Sequence, residues 1–388
     1  MRLTTVLQLL ALSCAAMGTG ARGSGGAGNA LLSSLLGGTS AGRGVSSASA
    51  LAASPPSPSA GTVSTSLAGV ALNNTFDSGT TSTPNPTPTS SSALRKLIRE
   101  SEIKCVLSDI DGTFLTDQHS VSSSQIEAVR EVMQRGLLFF PATGRTRKSV
   151  MDATDGLLSS LFNCPLDQVP GVYSQGLMVY GTGGRLIHEE FLPSSVVGEV
   201  ESFCAAEQVA LIAYAGDTIY ARGQCAQTRK ITAYKEPVPL LFPAGLGALE
   251  ASGVRANKLI LLAEEAILEA IRPKLALFLG TNAALTKAVP GMLEVLPYGA
   301  SKGSGVERLL AHYGVQAGQT MAFGDGENDI EMMQGVGLSV AMENAKPRLK
   351  EVSHALTLNN NEGGVGHALR ILLEEMSVKE VEVGVEME

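Results

Sequence analysis

The apolar run Lys104-Cys105-Val106-Leu107-Ser108 stops abruptly at Asp109-Ile110-Asp111-Gly112-Thr113. A run of that length, bounded by a turn signal, reads as a strand buried on both faces. Asp109 and Asp111 are two apart, so an extended strand end can point both carboxylates to one side. Unpaired charges are costly there, and the two acids call for a positive partner. Two further apolar runs end in loaded loops. Leu137-Leu138-Phe139-Phe140 leads to Thr143-Gly144-Arg145, and Thr320 to Phe323 leads to Gly324-Asp325-Gly326-Glu327-Asn328-Asp329. Carboxylates from two loops can hold a hard divalent cation with open positions, which suits Mg²⁺ and a phosphate. A carboxylate approaching a phosphate dianion meets repulsion of roughly 4 kcal/mol per unit pair at short range and intermediate dielectric. The cation would offset this. So would Lys302, which starts a helix whose free N–H groups also favour anions.

Other chemistries fail on spacing. Asp325, Glu327 and Asp329 have the one-three-five pattern of a calcium loop, but Ile330 and Val336 stand where its glycine and glutamate belong. Asp109 and Asp111 fail likewise, at Phe114 and Ser120. Gly299 to Gly305 lacks the order of a phosphate-binding loop, and Gly181 to Gly184 is a turn-like glycine cluster. Cys14, Cys105, Cys164, Cys204 and Cys225 fit neither a disulfide framework nor zinc, and there is no His-Glu-x-x-His. Taken singly, the remaining candidates are bland. An Asp-Gly pair is a turn, Thr143 a cap hydroxyl, Lys302 a solvated charge, and Asp329 a helix-start acid. Only their combination points to a site.

The elements between them must bring these loops together. Ser122 and Gln125 form a capping-box pattern, and Ile126, Val129, Val132 and Met133 recur on one helical face until Arg135-Gly136 stops it. Strand, helix, strand at these lengths predicts a right-handed parallel unit. From about His188 to Leu296 the pattern changes. Helices (about Ser195 to Glu207 and Glu264 to Phe278) alternate with strands (Ala210 to Ala213, Thr218 to Ala221, Lys258 to Leu262), and a hairpin turns at Pro290-Gly291. The parallel pattern resumes with a helix from Ser301 to Gly314, the Thr320 strand, a helix from Ile330, a strand from Leu338 to Ala341 and a last helix through Met376. The expected fold is α/β: a Rossmann-like, doubly wound parallel sheet with an inserted smaller α+β domain. The expected bounds are 93–187 and 297–376 for the core, 188–296 for the insert, and a frayed acidic tail from 377 to 388. In an open sheet of this kind, the loops at the carboxyl ends of the strands share one rim.

The chain has 388 residues and a net charge of −8, with no basic run, which argues against nucleic acid as a partner. No window holds the roughly 20 continuous apolar residues of a membrane span. Residues 1–16 read as a signal peptide. Residues 17–92 are rich in Ser, Thr, Gly, Ala and Pro, with Asp77 the one acid before Glu100, and read as a disordered, transit-like or linker segment. Such a leader fits entry to the secretory route, ending either in a plastid or outside the cell.

Asp109-x-Asp111-Gly112-Thr113, Thr143-Gly144-Arg145, Ser301-Lys302-Gly303 and Gly324-Asp325-x-x-Asn328-Asp329 occur in that order. The set resembles the haloacid dehalogenase (HAD) superfamily. The large insert resembles that of its Cof-type branch of sugar-phosphate and related phosphatases, with a C2-type cap. The likeness runs from about Ile103 to Leu373. It implies a Mg²⁺-dependent phosphatase acting on a small phosphorylated metabolite through an aspartyl-phosphate. Asp109 would be the nucleophile and Asp111 the proton donor and acceptor. Asp109 and Asp325 would bind Mg²⁺ by side chains and Asp111 by its carbonyl. Thr143, Gly144 and Lys302 would hold phosphoryl oxygens, and Asn328 and Asp329 would support that shell. Gly112 would permit the turn and Thr113 brace it. Arg145 would be a phosphate contact or an orienting ion pair. The chain departs from the branch at Ser174-Gln175-Gly176, where Asn-Gly is usual. A phosphotransferase or mutase would use the same intermediate, and a non-catalytic phosphate-binding protein the same shell. The sequence sets no oligomeric state.

Overall fold

The computed structural model describes residues 91–386. The stretch read as a signal peptide and nearly all of the Ser/Thr/Pro-rich segment lie outside the described residues. In chain order the strands are β1 (Cys105–Ser108), β2 (Leu138–Pro141), β3 (Gly171–Tyr173), β4 (Met178–Tyr180) and β5 (Leu186–Glu189). Then come β6 (Ala210–Ala215), β7 (Thr218–Ala221), β8 (Leu240–Leu241), β9 (Lys258–Leu262), β10 (Ala283–Thr286) and β11 (Met292–Pro297). β12 (Thr320–Gly324), β13 (Leu338–Ala341) and β14 (Ala355–Leu356) complete them.

β1 is completely buried, as its uninterrupted apolar run requires. It is the second strand from the edge of a five-stranded sheet of order β14-β13-β12-β1-β2, in which every pairing is parallel. Helices flank this sheet, as expected of a Rossmann-like α/β core. A six-stranded sheet, β10-β11-β9-β6-β7-β8, is drawn from the stretch between β5 and β12. Alternation along its strands sorts the side chains. Leu259 and Leu261 of β9 pack in one cluster with Val196, Val200, Leu268 and Leu275 of the helices Ser194–Ala206 and Glu265–Leu279. Lys258 and Ile260 face the other way, as do Tyr214 of β6 and Met292 and Glu294 of β11, and all of these line the cavity described below.

Three local expectations change. A helix, Ser91–Glu100, precedes β1, burying Leu94 and Ile98 one turn apart, and Arg95 and Arg99 both bond Glu375. The capping box is half formed: Ser122 Oγ accepts from Gln125 N, but the Gln125 side chain is buried and donates to Phe114 O at 2.7 Å instead. The last helix does not stop near Met376 but runs from Gly364 to Glu386. No proline interrupts it, and Arg135 Nη1 to Ser377 Oγ and Lys379 Nζ to Ser101 O tie down the turn after Met376.

Gly176 has φ +91°, and a Cβ there would lie 2.0 Å from Ser301 O, at the start of the helix that carries Lys302. The obstacle is backbone, which cannot swing aside. Gly176→Ala should therefore lower the unfolding free energy by about 2 kcal/mol or more, read as a lower urea midpoint at unchanged slope.

Candidate active site

Register brings the loaded loops together. Ser108 stands opposite Phe323 on one side and Pro141 on the other. Asp109 N then donates to Phe323 O, and Ala142 N to Ser108 O, so Asp109, Thr143 and Asp325 emerge at one rim. The chain passes from β1 to β2 on one side, and β12 to β14 lie on the other. The crevice between β1 and β12 is thus the switch point at which open α/β sheets bind ligands.

Lys302 is the centre of charge. Its helix, Lys302–Tyr313, is capped reciprocally by Ser301 and Ser304. The side chain is fully buried and its Nζ lies 2.5 Å from Asp109 Oδ1 and 2.6 Å from Asp329 Oδ1. Asp329 is also held by its other oxygen, which accepts from Asp325 N at 3.0 Å and Gly326 N at 2.9 Å. Asp325 Oδ1 accepts from Thr113 Oγ1 at 2.9 Å, so Thr113 braces this acid rather than its own turn. Gly112, at φ +74°, passes so close that a Cβ would lie 2.6 Å from Asp325 Oδ2.

Burial alone would lower the lysine's pKa, but Asp109 and Asp329 outweigh it and hold the ammonium above its ordinary value. Burial pushes Asp109 well up, Lys302 draws it back, and the neighbouring acids push it further. Asp325 is pushed up to about 7 by burial and then by Asp329. Asp109, Asp325 and Asp329 offer carboxylate oxygens within 4.8 Å of one another. Asp109 and Asp329 share one ammonium and Asp325 lies beside them, so acids outnumber cations here, and an all-oxygen donor set fits a hard divalent cation. Asp329 is already engaged through both oxygens, which leaves Asp109 and Asp325 as the acids with an oxygen to offer.

Arg145 forms an ion pair with Asp111. It is 7 % exposed, and its Nε and Nη2 meet Asp111 Oδ2 and Oδ1 at 2.6 and 2.8 Å, a two-pronged pair. Its Nη1 donates to Ser149 Oγ at 3.0 Å and to Tyr234 O of the insert. Asp109, Asp111, Gly144, Arg145, Asp325 and Asn328 line one cavity of about 70 Å³. Thr143 sits behind it, its Oγ1 accepting from Arg145 N at 3.1 Å. Lys302 touches Asp109 from the far side, and lines a neighbouring cavity instead.

The insert adds residues that motif reasoning missed. Lys258 Nζ donates to Gly144 O at 2.8 Å and Glu294 Oε2 at 2.6 Å. Gln175, at the departure from the family pattern, donates to Glu294 at 2.8 Å and accepts from Asn328 at 3.1 Å. Ser174, Gln175 and Gly176 all have positive φ, which gives the loop its sharp turn. Asn328 thus meets Gln175 as well as the cavity. A charge at the head of the apolar strand Lys258-Leu259-Ile260-Leu261-Leu262, and another inside Met292-Leu293-Glu294-Val295, were the signals available in sequence.

The sequence profile of the haloacid dehalogenase-like hydrolases matches residues 106–369, and the chain belongs to that family. It is 31 % identical over 273 residues to a protein of Arabidopsis thaliana named as a chloroplastic endoribonuclease; the match covers 68 % of this chain but 45 % of that protein. It is 29 % identical to a putative phosphatase of Streptococcus pyogenes, over 69 % of this chain and 97 % of the relative. An X-ray structure from Thermotoga maritima is similar with a TM-score of 0.59 and 26 % identity, over 69 % of this chain and 97 % of the other. The fold is the Cof-type HAD fold that the motifs implied. Among the described residues no helix is long and apolar enough to cross a membrane.

Lys302→Met would leave Asp109 and Asp329 buried without their cation. It should cost about 3–5 kcal/mol of unfolding free energy, measured in urea at neutral pH without divalent ions.

Proposed function

We propose that the protein is a Mg²⁺-dependent phosphatase that hydrolyses a small phosphorylated metabolite, such as a sugar phosphate, through an aspartyl-phosphate on Asp109. The observation that carries this reading is the buried pair Asp109 and Asp329 on the single ammonium of Lys302, with the half-buried Asp325 close enough to share a cation with them. Asp109 and Asp325 side chains and the Asp111 carbonyl would hold Mg²⁺, which supplies charge neutralisation for a phosphate dianion facing a carboxylate. The Gly144 amide and Thr143 would orient the phosphoryl oxygens, with Asn328 beside them. Lys302 fixes Asp109 and balances its charge.

A free Asp109 oxygen attacks phosphorus, forming the acyl-phosphate bond as the ester oxygen leaves. Asp111 gives that oxygen a proton, then takes one from the water that cleaves the acyl phosphate and releases inorganic phosphate. Both Asp111 oxygens accept from Arg145 here. Proton donation therefore requires one oxygen to leave the guanidinium, while Ser149 and Tyr234 keep Arg145 in place. Of the two compartments that the leader left open, the chloroplastic name of the Arabidopsis relative favours the plastid.

Asp109→Asn should abolish phosphate release from phosphate monoesters while far-UV circular dichroism stays native. Asp111→Asn should slow both formation and breakdown of the intermediate. Excess EDTA should silence the wild type and Mg²⁺ restore it. Wild-type rates in Asp109→Asn, or activity indifferent to EDTA, would sink the assignment.

A further inference from the structure

The face that the insert turns to the cavity carries two carboxylates and one ammonium, and their hydrogen bonds divide them. Both oxygens of Glu294 are engaged, Oε1 accepting from Gln175 and Oε2 from Lys258. The Lys258 ammonium is committed to Glu294 and to Gly144 O. Glu236 differs. Its Oε1 accepts from Ser149 Oγ at 2.8 Å and lies 3.8 Å from Arg145 Nη1. Its Oε2 is buried with no hydrogen-bond partner among the described residues, on a side chain 9 % exposed. An orphaned acceptor at that depth is unfavourable until a donor reaches it. Arg145 bonds Asp111 on one side and lies against Glu236 on the other, and all three line the cavity. Asp111 is the proposed proton donor to the leaving oxygen. On that mechanism Glu236 lies on the Asp111 side of the cavity, where the departing alcohol would sit.

We propose that Glu236 selects the leaving group: its unpartnered oxygen accepts a hydrogen bond from a hydroxyl of the departing alcohol. The substrate is then the monophosphate of a neutral polyhydroxylated alcohol, a sugar or alditol, and a leaving group with a second anion is rejected. The inference rests on the phosphatase reading. Rejection follows from charge, because Arg145 and Lys258, the cations lining the cavity, are each bonded to a carboxylate already. Tyr214, Tyr234, Ile260, Val289 and Met292 supply apolar wall for the C–H faces of such an alcohol.

The test compares kcat/KM of the purified full chain on sorbitol 6-phosphate, 6-phosphogluconate and hexyl phosphate. These keep the chain length but end in a hydroxymethyl group, a carboxylate or no donor at all. The wild type should favour sorbitol 6-phosphate over each of the others by about 10- to 100-fold. Glu236→Ala and the near-isosteric Glu236→Gln should each narrow both ratios by about tenfold. Ratios within about twofold of wild type in both variants, or a wild type that prefers 6-phosphogluconate, overturn the proposal. Hydrolysis of p-nitrophenyl phosphate by the wild type, absent in Asp109→Asn, is measured alongside. If it is missing, the phosphatase reading has failed and this inference with it. If it is present while the ratios do not move, only selection by Glu236 is lost.

Discussion

A single buried ammonium holds this site together. Lys302 lies within 2.6 Å of both Asp109 and Asp329, and each of the three side chains is nearly or wholly inaccessible. Isolated charges at that depth are expensive, so each needs the others, and geometry that brings them together is enforced. Its demands reach outward. The helix Lys302–Tyr313 must start close to the rim, which requires glycine where Gly176 and Gly305 meet face to face. Asp329 must turn one oxygen to the lysine and the other to the backbone of its own loop, which sets the path of Asp325. The cluster remains short of positive charge, and that deficit fits it to a divalent cation.

The insert is tied to this centre by buried polar bonds, not by apolar packing alone. Lys258 reaches Gly144 O, and Gln175 joins Asn328 of one loop to Glu294 of the insert. Arg145 joins Asp111 to Tyr234. Any movement of the insert away from the rim must break charge-assisted bonds that end on Gly144 O and on Arg145, the residue that holds Asp111. Saturated partners also sort the insert's residues: Glu294 and Lys258 hold the two parts together, and Glu236 keeps an oxygen for something else.

Much of the core was legible in the chain because its signals are local. Uninterrupted apolar runs marked β1, β2 and β12, and the residues directly after them carried the chemistry. The rim follows once those strands are parallel neighbours. Less visible were features whose cause is a distant contact. The Gln125 side chain looked like half of a capping box, but Phe114 O, brought in by the fold, offered it a buried acceptor. Arg145 could have faced a phosphate or an acid, and the proximity of Asp111 decided it. The last helix outran its apolar stripe, and past Met376 Arg135 bonds Ser377 and Lys379 bonds Ser101 O.

The sequence by itself determined which acids and hydroxyl follow the strands, which lysine starts the helix after the insert, and the family to which they belong. Strand period and apolar run length are short-range properties, and they need no knowledge of what lies across the sheet. Tertiary structure alone decided the pairing of charges: which acids share Lys302, which one Arg145 holds, and which carboxylate of the insert is left with a free oxygen. Those outcomes depend on burial and on distances between residues far apart in the chain. A charge has a strong preference for its partner only once water has been removed from between them.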